Sequence, residues 1–264
     1  MKITIFTSNQ PRHLNLINQL AEISDQTYAI MECNTVFPGK VEDFFRKSEV
    51  MKTYFRNVMD AEKKIFGNIS FLHRNARPLA IKSGDLNLLQ RRTLDQALYS
   101  DVYIVFGASF IKGWLADFLV ENRALNIHMG VSPYYRGSSC NFWALYDNNP
   151  NYVGATIHLL SKGLDSGPML YNALPKHEGG TPFEFTMRSV DAAQRSLIDR
   201  IGSNTIWEFD PVEQDKSQEV RYSRNADFTD DVASEFLERN IDGEQLARTL
   251  ETTDKPEYLN PFYA

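Results

Sequence analysis

Short apolar runs that alternate with amphipathic stretches constrain the fold of this chain more than any other feature. Residues 3–7 are mostly β-branched, and the apolar residues from Leu14 to Ile23 then recur at helical spacing. Residues 102–106 are apolar throughout, which is typical of a strand buried on both faces. Strands that alternate with helices pair in parallel through crossover connections. The sequence therefore predicts an α/β fold with a mostly parallel sheet flanked by helices.

Turn and capping residues set the expected bounds of the other elements. Further strands are expected at residues 28–32, 125–128, 154–160 and 168–174, and helices at 40–66, 85–98, 113–122, 140–147 and 182–203. Pro11 suits a first helical turn, Gly67 suits a helix end, and Thr181 with Glu184 has the pattern of a capping box. The chain then becomes charged and weakly periodic, with a helix expected at 231–239. We expect a core at residues 1–204 and a small acidic C-terminal extension at 205–264.

Composition argues against several classes of function. The formal net charge of -6 disfavours a protein that binds by neutralising phosphates, so no nucleic-acid partner is expected. The two cysteines, Cys33 and Cys140, are far apart and form no CxxC pair, so the sequence gives no sign of a disulfide framework or of a cysteine-rich zinc site. No metal is expected. No apolar run reaches membrane-spanning length, and the first run is too short for a signal peptide. We expect a cytoplasmic protein with no membrane partner.

Two clusters of polar residues carry the chemistry. In Asn126-Ile127-His128, strand alternation places the amide and the imidazole on the same side, and a turn-rich loop at 132–137 follows. The alternative is that each is a satisfied polar group at a strand end. The second cluster is residues 163–167, where glycines on both sides of Leu164-Asp165 allow a tight backbone around a carboxylate.

These motifs together resemble the formyltransferase family that uses 10-formyltetrahydrofolate. Its members carry Asn-x-His on one strand, then Pro-x-Tyr-Arg-Gly, then a Gly-Leu-Asp-x-Gly loop, and this chain has all three in that order. The resemblance covers about residues 80 to 200 well and extends more loosely to residue 1. It implies a Rossmann-like formyltransferase core with a small C-terminal appendage.

The resemblance implies a catalytic role for Asn126, His128 and Asp165. Formyl transfer to a primary amine passes through a tetrahedral intermediate, so the site needs donors to an oxyanion and a route for the proton. Asn126 and His128 suit the donor role. Asp165 suits the role of a group that orients both a water molecule and His128 and that relays protons. A carboxylate next to an imidazole favours the protonated imidazole.

The resemblance also implies where the folate cosubstrate lies. The family places its pterin ring against backbone near residues 106–112, where the strand at 102–106 ends, and against the loop at residues 163–165. The cofactor-binding candidates are Phe106, Gly107, Ala108, Phe110, Ile111, Lys112, His158, Gly163 and Leu164. Core packing is the alternative for Phe110 and Ile111, and a hydrogen-bonded supporting role is the alternative for His158.

Three acceptor amines occur in the family: an initiator methionyl-tRNA, glycinamide ribonucleotide and nucleotide-linked amino sugars. The acidic tail disfavours tRNA, and residues 7–13 lack the glycine-rich phosphate loop typical of the purine enzymes. A GDP- or dTDP-linked 4-amino-4,6-dideoxy sugar, such as GDP-perosamine, is therefore expected, in O-antigen lipopolysaccharide biosynthesis. The alternatives are glycinamide ribonucleotide formyltransferase of purine synthesis, a 3-amino sugar as acceptor, and a non-catalytic binding module.

Several residues are candidates to bind this acceptor. Asn9 and Arg12 lie at a helix start, where anions are favoured, and they are joined by Tyr135, Arg136 and Gly137 of the turn-rich loop. Aromatic residues that would stack on a base or cover a hexose are Tyr54, Phe55, Tyr135, Phe142, Trp143 and Tyr222, with core packing as the alternative at each. The sugar-modifying relatives are commonly homodimers, and the candidates for an interface are Phe236, Leu237 and Leu246.

Overall fold

The computed structural model describes residues 1–33, 48–68 and 70–264 of the chain. Within these residues an eight-stranded sheet has the order β10-β8-β7-β5-β4-β1-β2-β3, and β6 pairs with β9 in a two-stranded sheet. The strands are β1 Lys2–Ser8, β2 Gln26–Cys33, β3 Ala76–Lys82, β4 Val102–Val105, β5 Leu125–His128, β6 Tyr135–Gly137, β7 Ala155–Leu159, β8 Met169–Leu174, β9 Arg221–Ser223 and β10 Phe262–Tyr263. All neighbours are parallel except those of β7, which is antiparallel to β5 and β8. The predicted fold class is confirmed.

The helices cover both faces of the large sheet. They are α1 Pro11–Glu22, α2 Glu49–Phe66, α3 Gly113–Glu121, α4 Cys140–Tyr146, α5 Pro182–Gly202, α6 Asp230–Glu238 and α7 Gly243–Thr252. Pro11 occupies the first turn of α1, Gly67 ends α2 with a φ of 74°, and the Thr181 hydroxyl accepts from the Glu184 N–H at the start of α5. These three bounds are confirmed. The part of the helix expected at 40–47 lies outside the described residues.

The core has one apolar layer on each face of the sheet. Ile104 and Phe106 pack with α1 and α5 on one face, while Tyr103 and Val105 pack with α3 on the other. The strand β4 is thus buried on both sides, as its uninterrupted apolar run predicts. Because both faces of the sheet are covered, its strand ends and the loops beyond them are the places left for a site.

One local prediction is wrong, and one strand was missed. Residues 85–98 form three short 3₁₀ turns, Leu86–Leu88, Arg91–Thr93 and Asp95–Leu98, because buried Leu86 and Leu94 anchor the segment while Leu88 faces solvent. The edge strand β3 was not predicted. Its exposed residues are Arg77, Pro78, Ala80 and Lys82, which give no regular alternation of polar and apolar residues, and an edge strand tolerates the proline.

The C-terminal residues contribute to both sheets. Strand β9 pairs with β6, strand β10 pairs with β8, and Val212 forms an isolated bridge with Met169. Phe236 and Leu246 are buried within the chain, so they do not form the predicted exposed interface. The domain boundary at residue 204 and the homodimer stay predictions. No helix in the described ranges is long and apolar enough to cross a membrane.

The cap of α5 gives a test of the fold. The Thr181 hydroxyl satisfies a backbone N–H that has no partner inside the helix, so Thr181→Ala should lower the free energy of unfolding by about 1 kcal/mol. Urea denaturation measures this difference. Thr252→Ala, at an exposed position in the last turn of α7, is the matched control and should change the value by less than about 0.5 kcal/mol. Equal effects of the two substitutions would contradict the role given to the cap.

Candidate active site

The end of β5 and the loop between β7 and β8 bring the three predicted catalytic residues together. Val105, the last residue of β4, pairs with Asn126, so the rest of β5 extends beyond its neighbour at the carboxyl edge of the parallel strands. Asp165 folds back over this end with a φ of 44°, in the left-handed region that Asp tolerates better than most residues. Strand alternation then directs Asn126 and His128 toward the same carboxylate.

The Asp165 carboxylate contacts both partners at once. Its Oδ2 lies 3.3 Å from His128 Nδ1, and its Oδ1 accepts a hydrogen bond of 3.2 Å from Asn126 Nδ2. Asn126 and His128 are buried, whereas the Asp165 side chain retains 17% exposure. The cluster is thus anchored in the protein and reaches a cavity through Asp165.

This geometry makes His128 a cation. Its Nε2–H donates to the Tyr135 carbonyl over 3.1 Å, so the proton that titrates is on Nδ1, beside the carboxylate. Burial opposes that proton, but the Asp165 charge, with a smaller contribution from Cys140, outweighs burial and raises the pKa of His128 well above 6.5. Burial likewise opposes the charge on Asp165, yet His128 lowers the pKa of Asp165 to about 2. The two groups form a buried ion pair.

His158 supports the cluster from behind. Its Nδ1–H donates to the Leu159 carbonyl over 2.8 Å, so its Nε2 accepts from Asn126 Nδ2, also over 2.8 Å. Burial lowers the pKa of His158 to about 4, and the ring is therefore neutral at physiological pH. His158 was predicted to bind the cofactor, but it is 1% exposed and holds the Asn126 amide.

A first cavity of about 450 Å³ opens on one side of this cluster. The loops at 106–111 and 163–165, the second of which carries Asp165, line it together with Asn126 and His128. Phe110 and Leu164 are each 44% exposed. Gly107 is required here, because a Cβ at this position would lie 2.4 Å from a carbon of the His13 ring. Seven predicted cofactor-binding residues line this cavity: Phe106, Gly107, Ala108, Phe110, Ile111, Gly163 and Leu164. Lys112 is not in the wall, and its ammonium lies over the Phe110 ring.

A second cavity of about 350 Å³ lies on the other side of His128. It is bounded by α2, α4, the start of α5 and the C-terminal residues Phe228 and Phe236. The two cavities share Arg12, His128 and Met129. The imidazole of His128 therefore lies where two separate ligand-sized spaces meet.

The structure places some of the predicted acceptor-binding residues in the cavity walls and others outside them. Arg12 lines both cavities, but its guanidinium is paired with Glu62 over 2.7 Å, and Gly137 lines the second cavity. Tyr135 and Arg136 were expected to face the substrate. This expectation is wrong, because Tyr135 is fully buried and Arg136 pairs with Glu219 over 2.9 Å. Asn9 precedes α1 and lies outside both cavity walls.

The motif containing Tyr135 and Arg136 has a structural explanation. Its residues form β6, which pairs with β9, and a Cβ on Gly137 would lie 2.0 Å from the Ser223 carbonyl oxygen. Of the aromatic residues singled out from the sequence, Tyr54, Phe55 and Phe142 line the second cavity. Trp143 is buried in the core, and Tyr222 is exposed on β9.

Two supporting residues were missed. Gln214 Nε2 donates to the carbonyls of Asp165 and Gly167, both over 2.9 Å, and so fixes the loop that carries the carboxylate. Glu32 is buried at the end of β2 and accepts from the N–H of Gly84 and of Ser109, which lies in the wall of the first cavity. A carboxylate ending an apolar strand is a signal that could have identified Glu32. Gln214 lies in a charged segment with no recognisable pattern.

The ion pair predicts how His128 titrates. Asp165→Asn removes the negative charge but keeps the size of the side chain, so the pKa of His128 should fall by about 1 to 3 pH units. NMR titration of the imidazole resonances measures it. Asp117→Asn, which breaks an exposed pair with Lys162, is the control and should leave the value unchanged. An unaltered His128 titration in Asp165→Asn would rule out the ion pair.

The neutral state of His158 predicts a dependence of stability on pH. Its folded pKa, about 4, lies below its usual 6.5, so its contribution is complete above 6.5 and is lost as the pH falls toward 4. As the pH falls from about 7.5 to about 5, the titration of His158 should lower the free energy of unfolding by about 2 kcal/mol. His158→Gln, which retains an acceptor for Asn126, should show a correspondingly smaller loss in denaturant titrations. Identical losses in the two proteins would contradict the assignment.

Comparison with known proteins agrees with this geometry. Residues 92–201, which contain Asn126, His128 and Asp165, match the family model described as formyl transferase. A methionyl-tRNA formyltransferase from Synechococcus sp. (strain JA-3-3Ab) is 27% identical over 124 residues. That match covers 47% of this chain and 38% of the relative, so the chain spans about two fifths of the length of that protein.

Solved structures share the fold over most of the chain. A 4-N formyltransferase from Francisella tularensis matches with a TM-score of 0.52 at 14% identity, covering 86% of this chain and 77% of that one. An N-formyltransferase from Helicobacter canadensis, in complex with folinic acid and dTDP-3-aminofucose, matches with a TM-score of 0.51 at 13% identity, covering 86% and 72%. The solved structures show a shared fold, and the match of the formyl transferase family model to the segment that carries Asn126, His128 and Asp165 agrees with the resemblance indicated by the motifs.

Proposed function

We propose that this protein transfers the formyl group of 10-formyltetrahydrofolate to the amine of a nucleotide-linked sugar. The observation that carries the proposal is the position of His128, paired with Asp165 and lying where two cavities meet. A group-transfer reaction between two substrates needs both to reach the same catalytic groups. The range matched by the formyl transferase family model, residues 92–201, includes these residues, which supports the proposal.

The first cavity suits the folate. Its walls are two loops with backbone groups and the exposed apolar surfaces of Phe110 and Leu164, a combination suited to a flat ring with polar edges. Gly107 keeps one wall free of a side chain at its contact with His13. Folate supplies the formyl group, and the loops would orient it toward Asn126 and His128, which also line this cavity.

The catalytic groups then have distinct tasks. The acceptor amine forms a bond to the formyl carbon, the bond from that carbon to the folate nitrogen breaks, and the proton lost by the amine must reach the departing nitrogen. The His128 cation is placed to stabilise negative charge on the formyl oxygen. The Asp165 carboxylate, partly exposed to the first cavity, is placed to receive and pass on the proton. Asn126 is held in place by His158.

For the acceptor we propose a GDP- or dTDP-linked 4-amino-4,6-dideoxy sugar, in surface-polysaccharide (O-antigen) biosynthesis. The 4-amino position is supported by a protein with this fold described as a 4-N formyltransferase. A second protein with this fold is bound to dTDP-3-aminofucose, which supports a dTDP-linked amino sugar and keeps the 3-amino sugar as the alternative. The net charge of -6 is unfavourable for binding tRNA. Methionyl-tRNA is nevertheless the second acceptor to test, because the curated relatives are methionyl-tRNA formyltransferases.

A direct assay tests the proposal. The protein is incubated with 10-formyltetrahydrofolate and, separately, GDP-, dTDP- and UDP-linked amino sugars, glycinamide ribonucleotide and methionyl-tRNA. Mass spectrometry should detect one added formyl group on a nucleotide sugar. His128→Asn should reduce kcat by about a hundredfold or more, because it removes the cation beside the reacting carbon. His73→Asn, in the loop before β3, is the control and should keep normal turnover.

The outcomes separate the acceptor from the chemistry. Formylation of glycinamide ribonucleotide or methionyl-tRNA, with no sugar product, would refute the proposed acceptor and leave formyl transfer in place. Near-normal turnover by His128→Asn would refute the proposed role of His128. No product with any acceptor, together with tight folate binding, would favour a binding module without catalytic activity.

A further inference from the structure

The start of α1 forms a polar part of the wall of the first cavity. Gln10, Arg12 and His13 line this cavity, and Arg12 also lines the second one. The first turn of α1 therefore lies at the border of the two cavities. Its position is fixed by α5, because the fully buried Gln194 donates from Nε2 to the Arg12 carbonyl over 2.6 Å.

A helix start usually attracts anions, but here a carboxylate of the protein already occupies that position. Glu62 Oε1 accepts from the Arg12 backbone N–H over 3.2 Å and from the Arg12 guanidinium over 2.7 Å. Pro11 has no N–H, and the next two N–H groups after that of Arg12 donate to the Gln10 carbonyl. A phosphate at this end of α1 would meet the Glu62 charge and would find the N–H groups of this described turn already bonded.

The His13 imidazole presents an acceptor at the same place. The Thr7 hydroxyl donates to the Phe106 carbonyl over 2.7 Å, so it accepts from His13 Nδ1–H over 2.8 Å. A neutral imidazole with its proton on Nδ1 has a lone pair on Nε2, and no residue of the described ranges donates to that nitrogen. His13 is 3% exposed and lines the first cavity.

Burial keeps this ring neutral. It lowers the pKa of His13 well below 6.5, and the charge of Arg12 acts in the same direction. The Gln10 side-chain oxygen is a second buried acceptor to which no described residue donates. A buried acceptor without a donor is costly, so this part of the wall favours a ligand that brings hydrogen-bond donors.

The charges nearby restrict which donor can bind. The diphosphate of a nucleotide sugar carries no proton at neutral pH and would place its oxygens against these lone pairs. A cationic ligand is disfavoured, because Arg12 and the protonated His128 line the same cavity. A neutral hydroxyl group fits, since it donates a hydrogen bond and carries no charge.

We infer that His13 Nε2 accepts a hydrogen bond from a ring hydroxyl group of the acceptor sugar, with Gln10 as a second acceptor, and that the diphosphate lies elsewhere. This inference rests on the proposed function and adds a residue that distinguishes between acceptors. The loops at 106–111 and 163–165 are left to the folate. Arg12 and His128 line both cavities, so an acceptor bound between them can contact His13.

Deoxy acceptors test the inference. The native protein is assayed with dTDP-4-amino-4,6-dideoxyglucose and with the analogues that lack its 2- or its 3-hydroxyl group. Loss of the hydroxyl that His13 binds should lower kcat/KM by about tenfold to a hundredfold, because a buried acceptor is left without a donor. His13→Phe keeps a flat ring without the acceptor nitrogen, so it should formylate the complete sugar and this analogue about equally.

Two further variants keep the test independent of any damage to the fold. Gln10→Leu, at a partly exposed side chain, removes the second acceptor and should lower the preference in the same direction. Gln19→Leu is the same substitution further along α1, outside both cavity walls, and should keep the native preference. Thermal melting of each variant confirms that the folded protein is being measured.

Calorimetry identifies the part of the ligand that His13 contacts. His13→Phe should weaken the binding of the nucleotide sugar by about tenfold, since one hydrogen bond to a buried group is lost. The affinities for dTDP and for 5-formyltetrahydrofolate should stay unchanged, because neither ligand contains the sugar hydroxyl.

Several results would overturn the inference while sugar formylation stands. An equal loss of dTDP affinity in His13→Phe would place the diphosphate at the start of α1, and weaker folate binding would assign His13 to the folate. Unchanged kcat/KM after removal of either hydroxyl would show that His13 binds neither of them. If methionyl-tRNA is the acceptor and no sugar reacts, the inference and the proposed acceptor both fail.

Discussion

The negative charge of Asp165 is the interaction on which the rest of the site depends. It is held among buried groups, where an unpaired carboxylate would be costly, and it is compensated by His128 at 3.3 Å and by the Asn126 amide. That compensation keeps His128 charged despite its burial. The neutral His158 completes the arrangement by holding the Asn126 amide in place. Of the two histidines near this carboxylate, His128 is therefore charged and His158 is neutral.

The environment of each histidine explains this difference. His128 has a carbonyl on one nitrogen and a carboxylate beside the other, so both nitrogens favour a proton. His158 has a carbonyl on one side and an amide N–H on the other, which requires an unprotonated nitrogen there. A single substitution at either ring would therefore alter the charge of the cluster as well as its shape.

The sequence predicts the catalytic residues better than the walls around them. Asn126, His128 and Asp165 are found because strand alternation and a glycine-flanked carboxylate leave a local pattern. Tyr135 and Arg136 belong to an equally clear motif, but that motif serves the pairing of β6 with β9, which sequence spacing does not reveal. The second cavity combines α2, α4 and residues near 228 and 236, and its position follows from tertiary packing alone.

The Gln214 contact makes the position of the catalytic carboxylate depend on a distant part of the chain. Gln214 holds the carbonyl of Asp165 from 49 positions further along the sequence. It lies beyond residues 92–201, the segment that carries Asn126, His128 and Asp165. A substitution in the C-terminal part can therefore displace the carboxylate without changing any residue that the reaction uses.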